Sequence, residues 1–147
     1  MVLSYKKTDA LLDITDRRLH HIAPHLHSIL EMVYVTKGTL EIGVGTELYH
    51  MEEGDFAIVF PDLIHHYQVF SEGDNRAYYV QAANTMCMAF SETIAKQCPA
   101  NPVIKRDMLC REAKNAIIEL VHLSNDETVM AQAYIQIVLA KSIPIFE

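Results

Sequence analysis

Between Arg17 and Ala83 the apolar residues come in short runs that alternate with polar ones, and after Pro102 the spacing lengthens to nearly four. A period of two marks half-buried strands and a period near 3.6 marks amphipathic helices. The first pattern predicts strands at about Leu19 to Ile22, Leu30 to Thr36, Leu40 to Val44, Glu47 to Met51, Phe56 to Phe60, His66 to Phe70 and Arg76 to Gln81. Lys37-Gly38, Gly43-Val44-Gly45, Glu53-Gly54-Asp55 and Glu72-Gly73-Asp74-Asn75 punctuate them with residues suited to tight hairpins, and Pro61 cannot continue a central ladder. Seven short strands with hairpin turns predict a mainly β chain, a jelly-roll barrel.

Residues 84–103 give a weaker pattern: Met86 to Gln97 suits a helical turn or two, and Pro99 and Pro102 end any regular element. Leu109, Ala113, Ala116, Ile117, Leu120 and Val121 then share one face of a helix expected from about Lys105 to Leu123. Ser124-Asn125-Asp126-Glu127 has the S-x-x-E form of a capping box, predicting a second helix over about Asp126 to Ser142, ended by Pro144. Met130, Tyr134, Ile137 and Val138 fall on its main stripe. So short a turn predicts antiparallel packing. The expected organisation is a barrel with an N-terminal arm over residues 1–103 and a helical pair over 104–147, as one structural unit. Residues 1–16, charged and irregular, are the expected arm.

A length of 147 residues suits one domain with a core of its own, and the net charge of -7 argues against these residues gripping a phosphate backbone. Apolar runs such as Phe56 to Phe60 are far shorter than the ~18–20 residues of a membrane helix, and the N-terminus lacks a signal-peptide pattern. Cys87, Cys98 and Cys110 stand at irregular spacing without a C-x-x-C pair, as reduced core or surface residues do. Together these predict a cytoplasmic protein with no membrane partner.

The stretch His25 to Gly38 carries the candidate chemistry. His25, His27 and Glu31 share a face if one strand runs unbroken through them, and the turn at Pro61 delivers His65 or His66 to a neighbouring strand. Imidazoles with one carboxylate form a donor set for Fe, Mn, Co, Ni or Zn rather than Mg or Ca, and nothing in the residues selects among them. The same groups also suit a pocket that hydrogen-bonds an organic ligand, with Tyr67, Tyr78 and Tyr79 at core or rim and one of them available to stack on the ligand. His20 and His21 are read as strand-surface or satisfied pocket residues. Ile118, Ile135 and Leu139 add apolar residues off the main stripes of the helices, leaving a second apolar face for a partner; a symmetric dimer is the commonest solution.

H-x-H at His25 and His27, followed by Glu31 and Gly38, resembles the first cupin motif at every position. Gly54, Pro61 and His65 or His66 resemble the second, except that Leu63 stands where a glycine is usual and the later asparagine is missing. With two helices after the barrel, and the phrases E-M-V-Y-V-T-K-G and F-P-D-L-I-H-H-Y, the chain resembles the N-terminal sensing half of AraC-type transcription regulators over about Arg17 to Ile143. That resemblance implies a cupin-like barrel binding a small effector, such as a sugar or a small organic acid, through His25, His27, Glu31, His65, His66, Tyr67 and Tyr79. A divalent transition metal on His25, His27, Glu31 and His65 is the accompanying option. It also implies a homodimer, here through Met130, Tyr134, Ile135, Ile137 and Val138, and contact with DNA only through helix-turn-helix motifs not among these residues. The competing reading is a metal-dependent cupin enzyme: an isomerase, decarboxylase or dioxygenase.

Overall fold

The structure, a computed structural model, describes residues 4–6 and 10–146. Among the described residues ten strands form two five-stranded sheets. Sheet 1 holds β1 (Ser4–Lys6), β3 (Ile22–His27), β8 (His65–Gln68), β5 (Thr39–Val44) and β6 (Glu47–Glu52), in that spatial order. Sheet 2 holds β10 (Val103–Ile104), β7 (Phe56–Val59), β4 (Leu30–Lys37), β9 (Arg76–Ala82) and β2 (Leu12–Arg18). All pairings are antiparallel except β1 with β3. A 3-10 segment (Asn84–Phe90), α1 (Ser91–Lys96), α2 (Arg111–Val121) and α3 (Thr128–Phe146) complete the fold.

Strand alternation divides the core in two. Val33, Val35, Ala57, Val59, Ala77 and Tyr79 of sheet 2 face Leu40, Ile42, Met51 and Tyr67 of sheet 1 and fill the barrel. The residues between them on sheet 2, Met32, Tyr34, Phe56, Ile58 and Val80, point outward and meet Ala116, Ile117, Leu120, Ala131, Ile135, Val138 and Leu139 of the two helices. Sheet 2 is thus covered on both faces, which is why β7 is apolar at every position instead of alternating. A buried carboxylate, Asp55, ties the barrel to the segment before α2: it accepts bonds from the Glu52 N–H at 2.8 Å, the Arg106 N–H at 2.8 Å and the Lys105 ammonium at 3.1 Å.

Several expected boundaries move. Leu19 to His21 lie between strands, and the ladder expected there is instead β2 followed by β3. Part of the expected arm is therefore an ordered edge strand, whose charges at Asp13, Asp16, Arg17 and Arg18 suit an unpaired edge and mask its period; residues 1–3 and 7–9 of the arm lie outside the described residues. The first long helix starts at Arg111 rather than Lys105, because Lys105 to Leu109 close a turn onto the Lys105 carbonyl. At the capping box the Ser124 N–H donates to Glu127 at 2.8 Å, as expected of the returning glutamate. Pro144 does not end α3, which continues to Phe146.

The face of α3 that packs on the barrel carries Ala131, Ile135, Val138, Leu139 and Ile143. Ile135 and Val138, expected at a dimer contact, have no exposure and belong to the chain's own core, as does Leu139. Met130 and Ile137 are 47% and 39% exposed, and Val129 is 75% exposed. The helix is apolar on nearly every side, so its period selects no face. By length and composition α3 also passes for a membrane span, unlike the shorter apolar runs, with a mean hydropathy of 1.4; a third of that window is buried against the rest of the chain. The three cysteines are free, and burial pushes the Cys87 thiol up to about 12.

The two isoleucines of α3 separate these roles. Ile135→Ala leaves a core cavity and is expected to cost about 2–5 kcal/mol in urea unfolding, whereas Ile137→Ala, at the surface, is expected to cost under about 1 kcal/mol.

Candidate functional site

Two cross-strand pairs facing one another build the cluster. On sheet 1, β3 and β8 place His25 opposite His65, with ring centroids 4.2 Å apart. On sheet 2, β4 and β9 place Glu31 opposite Gln81. The chain bends at Ser28 and Ile29 to pass from one sheet to the other. His27 and Glu31 therefore do not share an unbroken strand; they meet across the barrel, His27 Nε2 lying 3.6 Å from Glu31 Oε1. His65 Nε2 lies 3.2 Å from Glu31 Oε2. His25, His27, His65 and Glu31 are buried.

The turn before β8 decides which of two adjacent histidines enters. Asp62 adopts φ +65°, a left-handed conformation that aspartate tolerates better than most residues. It does so one residue before Leu63, where the cupin motif has its glycine, and the Asp62 N–H donates to the His27 carbonyl at 2.8 Å. A shift of one residue exchanges the faces of a strand. His65 consequently points inward with Tyr67, whereas His66 lies on the outer face over Gly43, where an added Cβ would come within 1.9 Å of its Cε1. His66 thus lies outside the cluster of His25, His27 and His65.

The imidazoles are oriented from behind. His25 Nδ1 is 2.9 Å from the Ala23 carbonyl, His27 Nδ1 is 3.1 Å from the Ile29 carbonyl, and His65 Nδ1 is 2.9 Å from the Leu63 carbonyl. A carbonyl only accepts, so each Nδ1 carries the hydrogen, and in a neutral ring the Nε2 presents a lone pair. Among the described residues Nε2 of His27 and of His65 has no hydrogen-bond partner. Ring nitrogens of His25, His27 and His65 lie within 4.8 Å of one another, close enough for a single metal ion and too close for a sugar to lie between them.

Two donors, one from each sheet, hold Glu31. Its Oε1 accepts from Gln81 Nε2 at 2.7 Å, and its Oε2 accepts a short bond from the Tyr67 hydroxyl. Burial pushes the Glu31 carboxyl up, but the contacts with His27, His65 and Tyr67 outweigh it and hold the group well below the usual carboxylate range. Burial and the facing Glu31 charge raise the Tyr67 hydroxyl well above its ordinary value, which keeps it a donor. Below it, Tyr79 packs edge-on against Tyr67 at 5.5 Å, and the Arg17 guanidinium sits 4.0 Å from the centroid of the Tyr79 ring. His20 and His21 are exposed. Gln81 and Arg17 escape the sequence: only the register opposite Glu31 marks the one, and only the inward turn of an edge strand marks the other.

The His27 and His65 Nε2 atoms and the Glu31 carboxylate can share a cation in two ways. A proton on a ring makes an ion pair; a divalent transition metal uses the lone pairs directly. Imidazole nitrogens fixed through Nδ1–H to carbonyls are the usual form of a metal-binding histidine, so the donor set fits such an ion.

Similar solved structures include the cupin domain of Schizosaccharomyces pombe Cnp3, at 14% identity and TM-score 0.49, covering 55% of this chain and 62% of that one. The chain thus spans less than two thirds of that domain. An RmlC-like cupin family protein from Methanocaldococcus jannaschii matches at 14% identity and TM-score 0.47, covering 52% of this chain and 74% of that one. Bacillus subtilis oxalate decarboxylase, described with Mn(II) centres, matches at 16% identity and TM-score 0.45, covering 66% and 34%. A search of curated protein sequences returns no match. The sequence profile of the AraC-like ligand binding domain matches residues 13–136. That span takes in the barrel strands from β2 onward, the histidine and glutamate cluster and most of the helical pair, and the chain belongs to the AraC-like ligand binding domain family, on a cupin fold.

Proposed function

We propose that the chain is the effector-sensing and dimerisation half of a cytoplasmic AraC-type transcription regulator, with a divalent transition metal as part of its sensing site. The observation that carries the metal is the convergence of three buried imidazoles, His25, His27 and His65, whose ring nitrogens lie within 4.8 Å of one another beside an ionised Glu31. His25, His27 and His65 would hold the ion, with Glu31 beside them as its counter-charge or fourth ligand. Such an ion supplies a Lewis-acidic anchor for an oxygen atom of an effector. One carboxylate against a divalent ion leaves positive charge at the cluster, which favours a small organic acid over a neutral sugar.

The chain's own residues supply the rest. His25, His27 and His65 come from sheet 1 and Glu31 from sheet 2, so occupancy ties the sheets together, and the outer face of sheet 2 is the bed of α2 and α3. Effector binding would thereby bias how the helices are held, a shift between pre-existing states of the kind that regulates a linked DNA-binding half. Val129, Met130 and Ile137 give α3 an exposed apolar strip, with Tyr134 half-buried beside it, and a second copy of the chain is the proposed cover.

Three outcomes test this reading. Protein prepared in medium supplemented with Zn, Ni, Mn and Fe is expected to retain close to one equivalent of one of them by elemental analysis, to lose it in His27→Ala and to keep it in His66→Ala; metal-free protein with an intact triad would overturn the metal assignment. In the native gene product, operator DNA affinity should change when the effector is added from a panel of small carboxylic acids and sugars, and equal affinity throughout would count against the regulator and leave the cupin enzyme to be assayed. Sedimentation should show a dimer that Met130→Glu with Ile137→Glu converts to monomer while the far-UV circular dichroism is unchanged.

A further inference from the structure

The outer face of sheet 2 carries a second concave site, on the opposite side of the sheet from the histidines. Between β4, β9, the β6–β7 turn and α2 lies a cavity of about 330 Å³ lined by Tyr34, Tyr78, Glu53, Arg106, Lys114 and Ile118, among others. Small-molecule sites run from roughly 300 to 1,000 Å³, so this one is large enough for a single-ring ligand. Tyr34 and Tyr78 are cross-strand partners on the outward face, stacked with centroids 6.2 Å apart and planes at 25°. Ile118 of α2 adds a half-buried apolar wall.

The charges around this wall are unbalanced in an unusual direction. The chain has 19 acidic and 12 basic residues, yet two cations, Arg106 and Lys114, face one carboxylate, Glu53, in this cavity. Among the described residues neither cation forms an ion pair, in contrast to the neighbouring Lys105, which is 3.1 Å from Asp55. Arg106 is also held in place. Its backbone N–H donates to Asp55 at 2.8 Å, and its stem lies across Gly54 so closely that a Cβ there would come within 2.9 Å of Arg106 Cδ.

We propose that this cavity binds a small aromatic carboxylate, its ring against Tyr34, Tyr78 and Ile118 and its carboxylate on Arg106 and Lys114. A guanidinium fork matches a planar carboxylate, and an aromatic wall favours a flat ring over an aliphatic chain. The proposal does not depend on whether the histidine cluster holds a metal. An occupant would touch both sheet 2 and α2, giving the helical pair a second chemical input.

The test is titration of the full 147-residue chain with benzoate, benzamide and acetate, followed by calorimetry and by amide chemical shifts. Benzoate is expected to bind with shifts centred on Tyr34, Tyr78 and Lys114, with benzamide and acetate each about tenfold weaker or more, the loss of one charge-assisted contact or of the ring contact. Arg106→Gln should weaken benzoate by about tenfold, and Lys114→Gln should weaken it in the same direction. Glu53→Gln should tighten it by about two- to fivefold, a gain that a damaged fold cannot mimic. No benzoate binding at millimolar concentration, equal binding of benzoate and benzamide, indifference to Arg106→Gln, or shifts centred on His65 and Glu31 would each overturn the proposal.

Discussion

An ionised glutamate enclosed between two sheets is costly unless its charge is answered, and here the answer comes from both sides of the barrel. Gln81 donates to Glu31 from its own sheet, while the Tyr67 hydroxyl donates and the Nε2 atoms of His27 and His65 approach from the opposite sheet. The donors come from β9 and β8, and the histidines from β3 and β8. Burial disfavours the Glu31 charge, and these contacts outweigh it and keep the carboxyl ionised. The interior of this half of the barrel is therefore specified by charge complementarity, whereas the other half, around Leu40, Ile42 and Met51, is specified by packing.

Sheet 2 is the element through which these two kinds of order communicate. Its inner face presents Glu31, Val33 and Val35, and its outer face presents Met32 and Tyr34 from the same strand. A change on one face is one peptide away from the other. Asp55 adds a fixed point at the edge of the sheet by accepting bonds from the Arg106 N–H and the Lys105 ammonium just before α2 begins. The helical pair is thus not an appendage of the barrel; it completes the core that sheet 2 opens outward. A ligand read by the inner face and a ligand read by the Tyr34–Tyr78 cavity would act on the same sheet.

The periodic features of the chain were legible because each rests on local chemistry. The hairpin glycines, the period of two through Leu40 to Val44, the longer period from Ala113 to Leu120 and the Ser124–Glu127 cap all depend on residues within a few positions of each other. His25, His27 and Glu31 were legible as a group through motif spacing. The β2 edge strand was not, since its charges suit an edge and erase the alternation that a half-buried strand shows. Nor was the inward face of α3: a helix apolar all round offers no period to read, and Ile135 faces the core while Ile137 faces outward only because sheet 2 lies on that side.

The amino-acid sequence by itself determined a small β-barrel with a following helical pair, and a histidine and glutamate motif within it, because strand alternation, turn chemistry and helix period are short-range constraints. Tertiary structure alone decided that His65 and not His66 enters the barrel, since that choice turns on the left-handed backbone at Asp62 and a one-residue slip before β8. It alone decided that His27 meets Glu31 across two sheets rather than along one strand, and that Gln81 and Tyr67 hold the carboxylate. These contacts join residues up to 50 positions apart, and their existence depends on register, which no local pattern encodes.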